Sequence, residues 1–236
     1  MRITQQPAYI LHTRAWRETS LLLDVFSRDF GRVGLVARGV RGARARLSRS
    51  LLEPMQPLRM DWTGRGELQT LVAVEPVAAP HALRGDELLS AMYVNELLVR
   101  LVARNDPHPV LFDRYRELLD ELPRSASVAW SLRCFERDLL GAIGYALQLD
   151  AAADTGEPLD PARAYDYLPE FGAVAAGDHS DGTRMRGSAL RALATGVCPD
   201  VQDMAALKRL MRNLIGQQVG PRGLQSWRVL ADPLRR

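Results

Sequence analysis

Cysteine is almost missing from this chain. Its two residues, Cys134 and Cys198, stand 64 positions apart, which excludes a disulfide framework and the paired spacing of a Cys-rich zinc site. No apolar run approaches the roughly 18 residues needed to cross a bilayer, so no membrane partner is expected. The N-terminal stretch MRITQQPAYILHTR lacks the apolar core of a secretory signal. These absences fit a reduced, cytoplasmic protein without structural metal. Enzyme signatures are equally scarce. There is no GxxxxGK[ST] phosphate loop, and GRGELQ (64–69) lacks the third glycine of a dinucleotide fingerprint. The four histidines, His12, His81, His108 and His179, show no ligand spacing, and GSAL (187–190) is no nucleophile elbow. The pattern is that of a binding protein without a catalytic site or cofactor.

What is abundant is arginine, and it is unevenly spread. Lys208 is the only lysine. Residues 1–80 carry 12 arginines against 7 acids, a net +5. Residues 81–183 carry 9 against 18, a net −9. Residues 184–236 carry 10 cations against 3 acids, a net +7. Segregation of this kind bears on partners, not on fold.

The first 80 residues read as five strands: 8–14, 20–27, 31–38, 57–62 and 68–76. Their β-branched and aromatic content, with turns at SRDFG (27–31) and TGRGE (63–67), favours strands over helices. Five short strands in this length predict a Greek-key barrel of the OB-fold type. Residues 38–54 then form an excursion between the third and fourth strands. Phe26, Phe30 and Trp62 are expected in the barrel core. From residue 81 the apolar period becomes helical, with helices over 86–103, 109–122, 127–144, 188–195 and 200–220, the last N-capped by Asp200. Residues 150–183 are acidic and turn-rich, and read as an irregular insertion with at most one short hairpin. The expected class is α+β: a barrel domain over 1–80 and a mainly helical domain over 81–236.

The segment RGVRGARARLSRS (38–50) places Arg38, Arg41, Arg44, Arg46 and Arg49 within twelve positions, with no acid between them. Such a loop can serve as a solvated edge, but phosphates would relieve its self-repulsion. OB-folds bind single strands by joining a basic groove to aromatic stacking platforms. Trp16, between Arg14 and Arg17 after the first strand, has the character of such a platform. Arg32, on the third strand, is added to the expected DNA contacts. The same charges would also serve an RNA-binding or ribosome-associated OB protein.

Several stretches resemble the RecO family of bacterial DNA repair proteins: HTRAWRETSLLLDVFSRDFGRVGLVARGVR (12–41), GRGELQTL (64–71), YVNELL (93–98), FERDLLGAIGY (135–145) and GEPLDPARAYDY (156–167). The resemblance implies an OB-fold followed by a helical domain. It implies a recombination mediator at the nucleoid that binds single- and double-stranded DNA and anneals complementary strands. It also implies work with RecR to place RecA on DNA coated with single-strand binding protein. Some relatives hold zinc through two CxxC pairs after the third helix. The matching stretch here, ALQLDAAADTGEP (146–158), has no cysteine. The family also binds the acidic, phenylalanine-ended tail of single-strand binding protein, for which Arg133, Arg137, Phe135 and Leu139 are the expected contacts.

Overall fold

A computed structural model of the protein describes residues 2–40, 48–177 and 181–227. The chain divides into two compact units, residues 1–125 with 224–236, and residues 126–223.

In the first unit, strands β1 (Arg2–Trp16), β2 (Ser20–Ser27), β3 (Gly31–Ala37), β4 (Leu58–Thr63) and β5 (Leu68–Pro76) close into a barrel in the order β1-β2-β3-β5-β4. This is an OB-fold barrel. β1 runs further back than its apolar pattern indicated. It pairs with β4 through Arg2–Ala8 and with β2 through Ala8–Trp16, bending at Gln5, which has φ +54°. The Gln5 N–H donates to the Asp61 carboxylate at 2.7 Å and holds that irregularity. The barrel interior is filled by Ile10, Leu23, Val25, Leu35, Met60 and Trp62, with Leu52 buried among them. Leu52 belongs to a short 3-10 turn, Arg49–Leu52, through which the excursion re-enters the core.

The run SLLLDVFS is apolar without alternation, and the structure shows why. β2 is buried on both faces, as uninterrupted apolar strands usually are. One face looks into the barrel. On the other, Phe26 meets helix α2 (Pro109–Glu121), while helix α1 (Gly85–Leu101) packs against β1. Phe26 therefore leaves the barrel core and lies 5.5 Å from Phe112, ring to ring. Tyr9 makes an edge contact with Tyr115 at 5.1 Å, and burial pushes its hydroxyl up to about 12. Asn95, buried on α1, donates to the Leu11 carbonyl at 3.0 Å and accepts from the Tyr115 hydroxyl at 2.6 Å. Trp62 is in the core as expected, while Phe30 is only half-buried. The compact unit thus extends past residue 80, because these helices cover the outer face of β1 and β2. Residues near the C-terminus return to it, with the Gln225 and Ser226 N–H groups donating to the Glu96 carboxylate at 2.6 and 2.9 Å.

The segment joining α1 to α2 is laid along β3. Arg32 Nε donates to the Val102 carbonyl at 2.9 Å, and the Asn105 N–H donates to the Arg32 carbonyl at 2.9 Å. The Asp24 carboxylate accepts from Arg32 at 3.2 Å and from Arg104 at 2.6 Å. Two glycines make room. A Cβ on Gly31, which has φ +64°, would lie 2.0 Å from the Asp106 carbonyl oxygen, and one on Gly34 would lie 2.4 Å from the Arg104 guanidinium.

The second unit holds α3 (Val128–Ala142), strands β6 (Ala164–Leu168), β7 (Gly172–Ala175) and β8 (Thr183–Arg186), and helices α4 (Gly187–Thr195) and α5 (Val201–Val219). The insertion is more ordered than its composition indicated. It contributes a three-stranded sheet in the order β7-β6-β8, where one hairpin at most was expected. β8, TRMR, buries only Met185. It is held instead by a cross-strand pair, Arg184 to the buried Asp166 at 2.6 Å. Asp200 caps α5 as expected, accepting from the Asp203 N–H at 2.8 Å.

Gly31→Ala should destabilise the first unit by at least about 2 kcal/mol, because it combines a left-handed backbone with a carbonyl clash. Asn95→Ala should cost a similar amount by leaving buried polar groups unpaired. Urea unfolding monitored by far-UV circular dichroism checks both.

Candidate nucleic-acid interface

The turn between β1 and β2 comprises Arg17, Glu18 and Thr19, closed by the pairing of Trp16 with Ser20. Arg17 has a left-handed backbone at φ +52°, uncommon for a residue with a side chain. Arg14 and Arg17 are exposed and Trp16 is half-buried. The far end of β3 sits beside this turn. Leu21 pairs with Ala37, and the Val40 N–H donates to the Thr19 carbonyl at 3.0 Å. Val40 itself is buried in the barrel core. One end of the barrel therefore presents Arg14, Trp16, Arg17 and Arg38 together, at the point where the arginine-rich excursion departs. Arg49, exposed, stands where the excursion returns. Arg41, Arg44 and Arg46 lie outside the described residues. Arg14, Arg38 and Arg49 make no ion pair with any described residue.

Arg32 departs from this set. Its side chain is largely buried, and its guanidinium is engaged by Asp24 and the Val102 carbonyl. Burial and the neighbouring Arg104 lower its pKa from the usual arginine value. It fastens the α1–α2 segment to the barrel and presents no free cation to a phosphate. Sequence alone could not separate it from the other arginines, since its carboxylate partner lies on the adjacent strand.

The recombination protein O N-terminal family matches residues 1–80, and the recombination protein O C-terminal family matches residues 83–228. The chain belongs to the RecO family. It is 42% identical, over the full length of both chains, to the DNA repair protein RecO of Xanthomonas euvesicatoria pv. vesicatoria. It is 45% identical to that of Aromatoleum aromaticum, over 98% of this chain and 96% of the relative. With that of Nitrosococcus oceani it shares 44% identity over 100% and 96%. RecO membership assigns the chain to DNA repair and recombination. No described helix is long and apolar enough to cross a membrane.

Zinc, which the resemblance associates with some members after the third helix, does not fit the residues present in this RecO chain. The stretch 146–158 offers no thiolate or imidazole, and among the described residues no cluster of three metal-ligating side chains exists. Its backbone closes on itself instead. The Ala152 N–H donates to Glu157 and the Gly156 N–H to Ala152, both at 2.8 Å, while Leu149, Ala152 and Leu159 are buried. Asp154 is occupied by the Ala175 N–H at 3.1 Å.

The α3 cluster is also arranged otherwise than expected. Arg133 is buried and forms a forked pair with the fully buried Glu136, Nε to carboxylate at 2.6 Å. Phe135 and Leu139 are 2% and 0% exposed. Arg137 is half-buried between Asp138, at 2.7 Å, and the Leu193 carbonyl, at 2.5 Å. These side chains hold α3 in its unit and offer no open pocket beside an available cation. On α5, by contrast, Lys208, Arg209 and Arg212 are exposed on one face.

Replacing Arg41, Arg44 and Arg46 by Ala should flatten the log–log salt dependence of single-strand binding by about 2, at roughly 0.7 per phosphate contact. Arg32→Ala should leave that slope unchanged and lower the unfolding midpoint. Titrations by fluorescence anisotropy at several salt concentrations separate the two effects. Chelator treatment should leave the melting temperature unchanged, and elemental analysis should find less than stoichiometric zinc.

Proposed function

We propose that this protein is a recombination mediator that binds single- and double-stranded DNA without sequence preference and anneals complementary strands. With RecR it helps place RecA on DNA coated with single-strand binding protein. It acts by binding and by neutralising charge, without breaking or forming covalent bonds. The observation that carries this reading is the hydrogen bond from Val40 to Thr19, which fixes the point where the chain leaves β3 toward the arginine-rich segment beside the Trp16 turn. Cations can then follow a phosphate chain while an aromatic ring meets its bases. Two like-charged strands approach each other more readily when arginines neutralise their phosphates, which is what annealing requires.

For the acidic tail of single-strand binding protein, the exposed cations of α5, Lys208, Arg209 and Arg212, are better placed than Arg133, which is committed to Glu136. In the alternative role, as an RNA-binding or ribosome-associated protein, the barrel would use the same groups.

The test is annealing of complementary oligonucleotides, bare and coated with single-strand binding protein. The wild type should accelerate both. Trp16→Ala should weaken single-strand affinity by about 1–3 kcal/mol with little change in melting temperature. Lys208→Ala with Arg209→Ala should preserve annealing of bare strands and impair it on coated ones. Absence of annealing, together with tight and selective RNA binding, would favour the alternative.

A further inference from the structure

A second feature of the barrel lies at its other end. There the β2–β3 turn, carrying Phe30, and the β4–β5 turn, carrying Arg65, flank a cavity of about 360 Å³. β2 separates this end from the Trp16 turn by eight residues, roughly 25 Å at strand rise. Phe30 and Trp62 form the apolar wall, in edge contact at 5.7 Å between ring centroids. Gln69 and Asn105 also line it, and Arg65 and Asp29 are exposed at it.

We propose that this cavity takes one unpaired base of a bound single strand, with Phe30 as its apolar platform and Gln69 and Asn105 facing the base edge. The proposal rests on the DNA-binding reading given above. The volume falls within the range of small-ligand sites. Amides carry both donors and acceptors, as base edges do. Asp29, already held by Gln6 at 3.2 Å and Arg28 at 3.4 Å, opposes a phosphate inside the cavity but accepts from an exocyclic amine. Arg65 supplies the phosphate contact at the mouth. It stands between Gly64 and Gly66, where an added Cβ would meet nothing closer than 3.4 Å and nothing within 4 Å respectively, so the mouth stays open. The platform is fixed in advance. The Phe30 N–H donates to the Ser27 hydroxyl at 3.3 Å, and the next residue, Gly31, is pressed against the Asp106 carbonyl. A base held here and another stacked at Trp16 would mark the two ends of one strand crossing the barrel. That span suits the roughly 4–16 nucleotides an OB-fold covers.

The test compares wild type, Phe30→Leu and Gln69→Ala on a single-stranded oligonucleotide and on a blunt duplex of the same length, across a salt series. Leucine retains an apolar side chain against Trp62 but removes the aromatic face, and Gln69 is not a core residue. Both variants should lose single-strand affinity, Phe30→Leu by about five- to a hundredfold. Duplex affinity and the salt slope should stay at wild-type values, because paired bases cannot enter and no cation is lost. Wild-type single-strand affinity in both variants would overturn the proposal. Equal losses on single strand and duplex would also overturn it, making Phe30 a packing residue. A wild type that binds neither DNA would bring down the parent reading along with this site.

Discussion

The first unit depends on one carboxylate. Asp24 on β2 is shared by Arg32 on β3 and Arg104 beyond α1. Its neighbourhood contains the weakest seam of the barrel, the parallel pairing of β3 with β5, which spans only Gly34 to Val36 against Leu68 to Thr70. Parallel pairs are somewhat less stable per residue than antiparallel ones. The Arg104 guanidinium lies over Gly34 at that seam, anchored by Asp24. Partial burial of two cations against one anion is costly unless the donors are met. The Val102 carbonyl meets one of them. The arrangement supports the β3–β5 seam and holds the α1–α2 segment to the barrel at the start of β3, while the far end of β3 is held by Val40 and Thr19. That end is where the arginine-rich excursion begins.

Function follows from this placement. A basic loop attached to a flexible edge would attract any polyanion and orient none. Here Val40 is buried and hydrogen-bonded to Thr19, and Leu52 is buried where the excursion returns. Both ends of the loop are thereby tied into the core, the departing end beside the Trp16 turn. On the reading proposed above, phosphate contacts would supply affinity and salt dependence, and stacking would add a preference for unpaired bases. That combination suits a RecO protein, whose family belongs to recombination and repair.

Much of this was legible in the sequence. Alternation in PLRMDW and the glycine-marked turns indicated strands, and the shift to helical period at residue 81 coincides with the family boundary at 80–83. The apolar run SLLLDVFS carried the sign that β2 is covered on both sides, yet composition could not say by what. Phe26 faces α2, not the barrel interior expected from composition. The Arg133–Glu136 pair follows from i,i+3 spacing on a helix, but its burial depends on packing that spacing does not reveal. β8 escaped detection because its partner is an ion pair with Asp166 and not an apolar face. Arg32 is indistinguishable in sequence from the loop arginines, because Asp24 comes beside it only through strand pairing.

The most direct test of the interface is to cross-link the protein to a single-stranded oligonucleotide bearing photoreactive thymine analogues, and to map the attachment sites by mass spectrometry. The account predicts adducts at Trp16 and within residues 38–50, lost when the loop arginines are replaced. Adducts confined to residues 126–223, with none on the barrel, would contradict it.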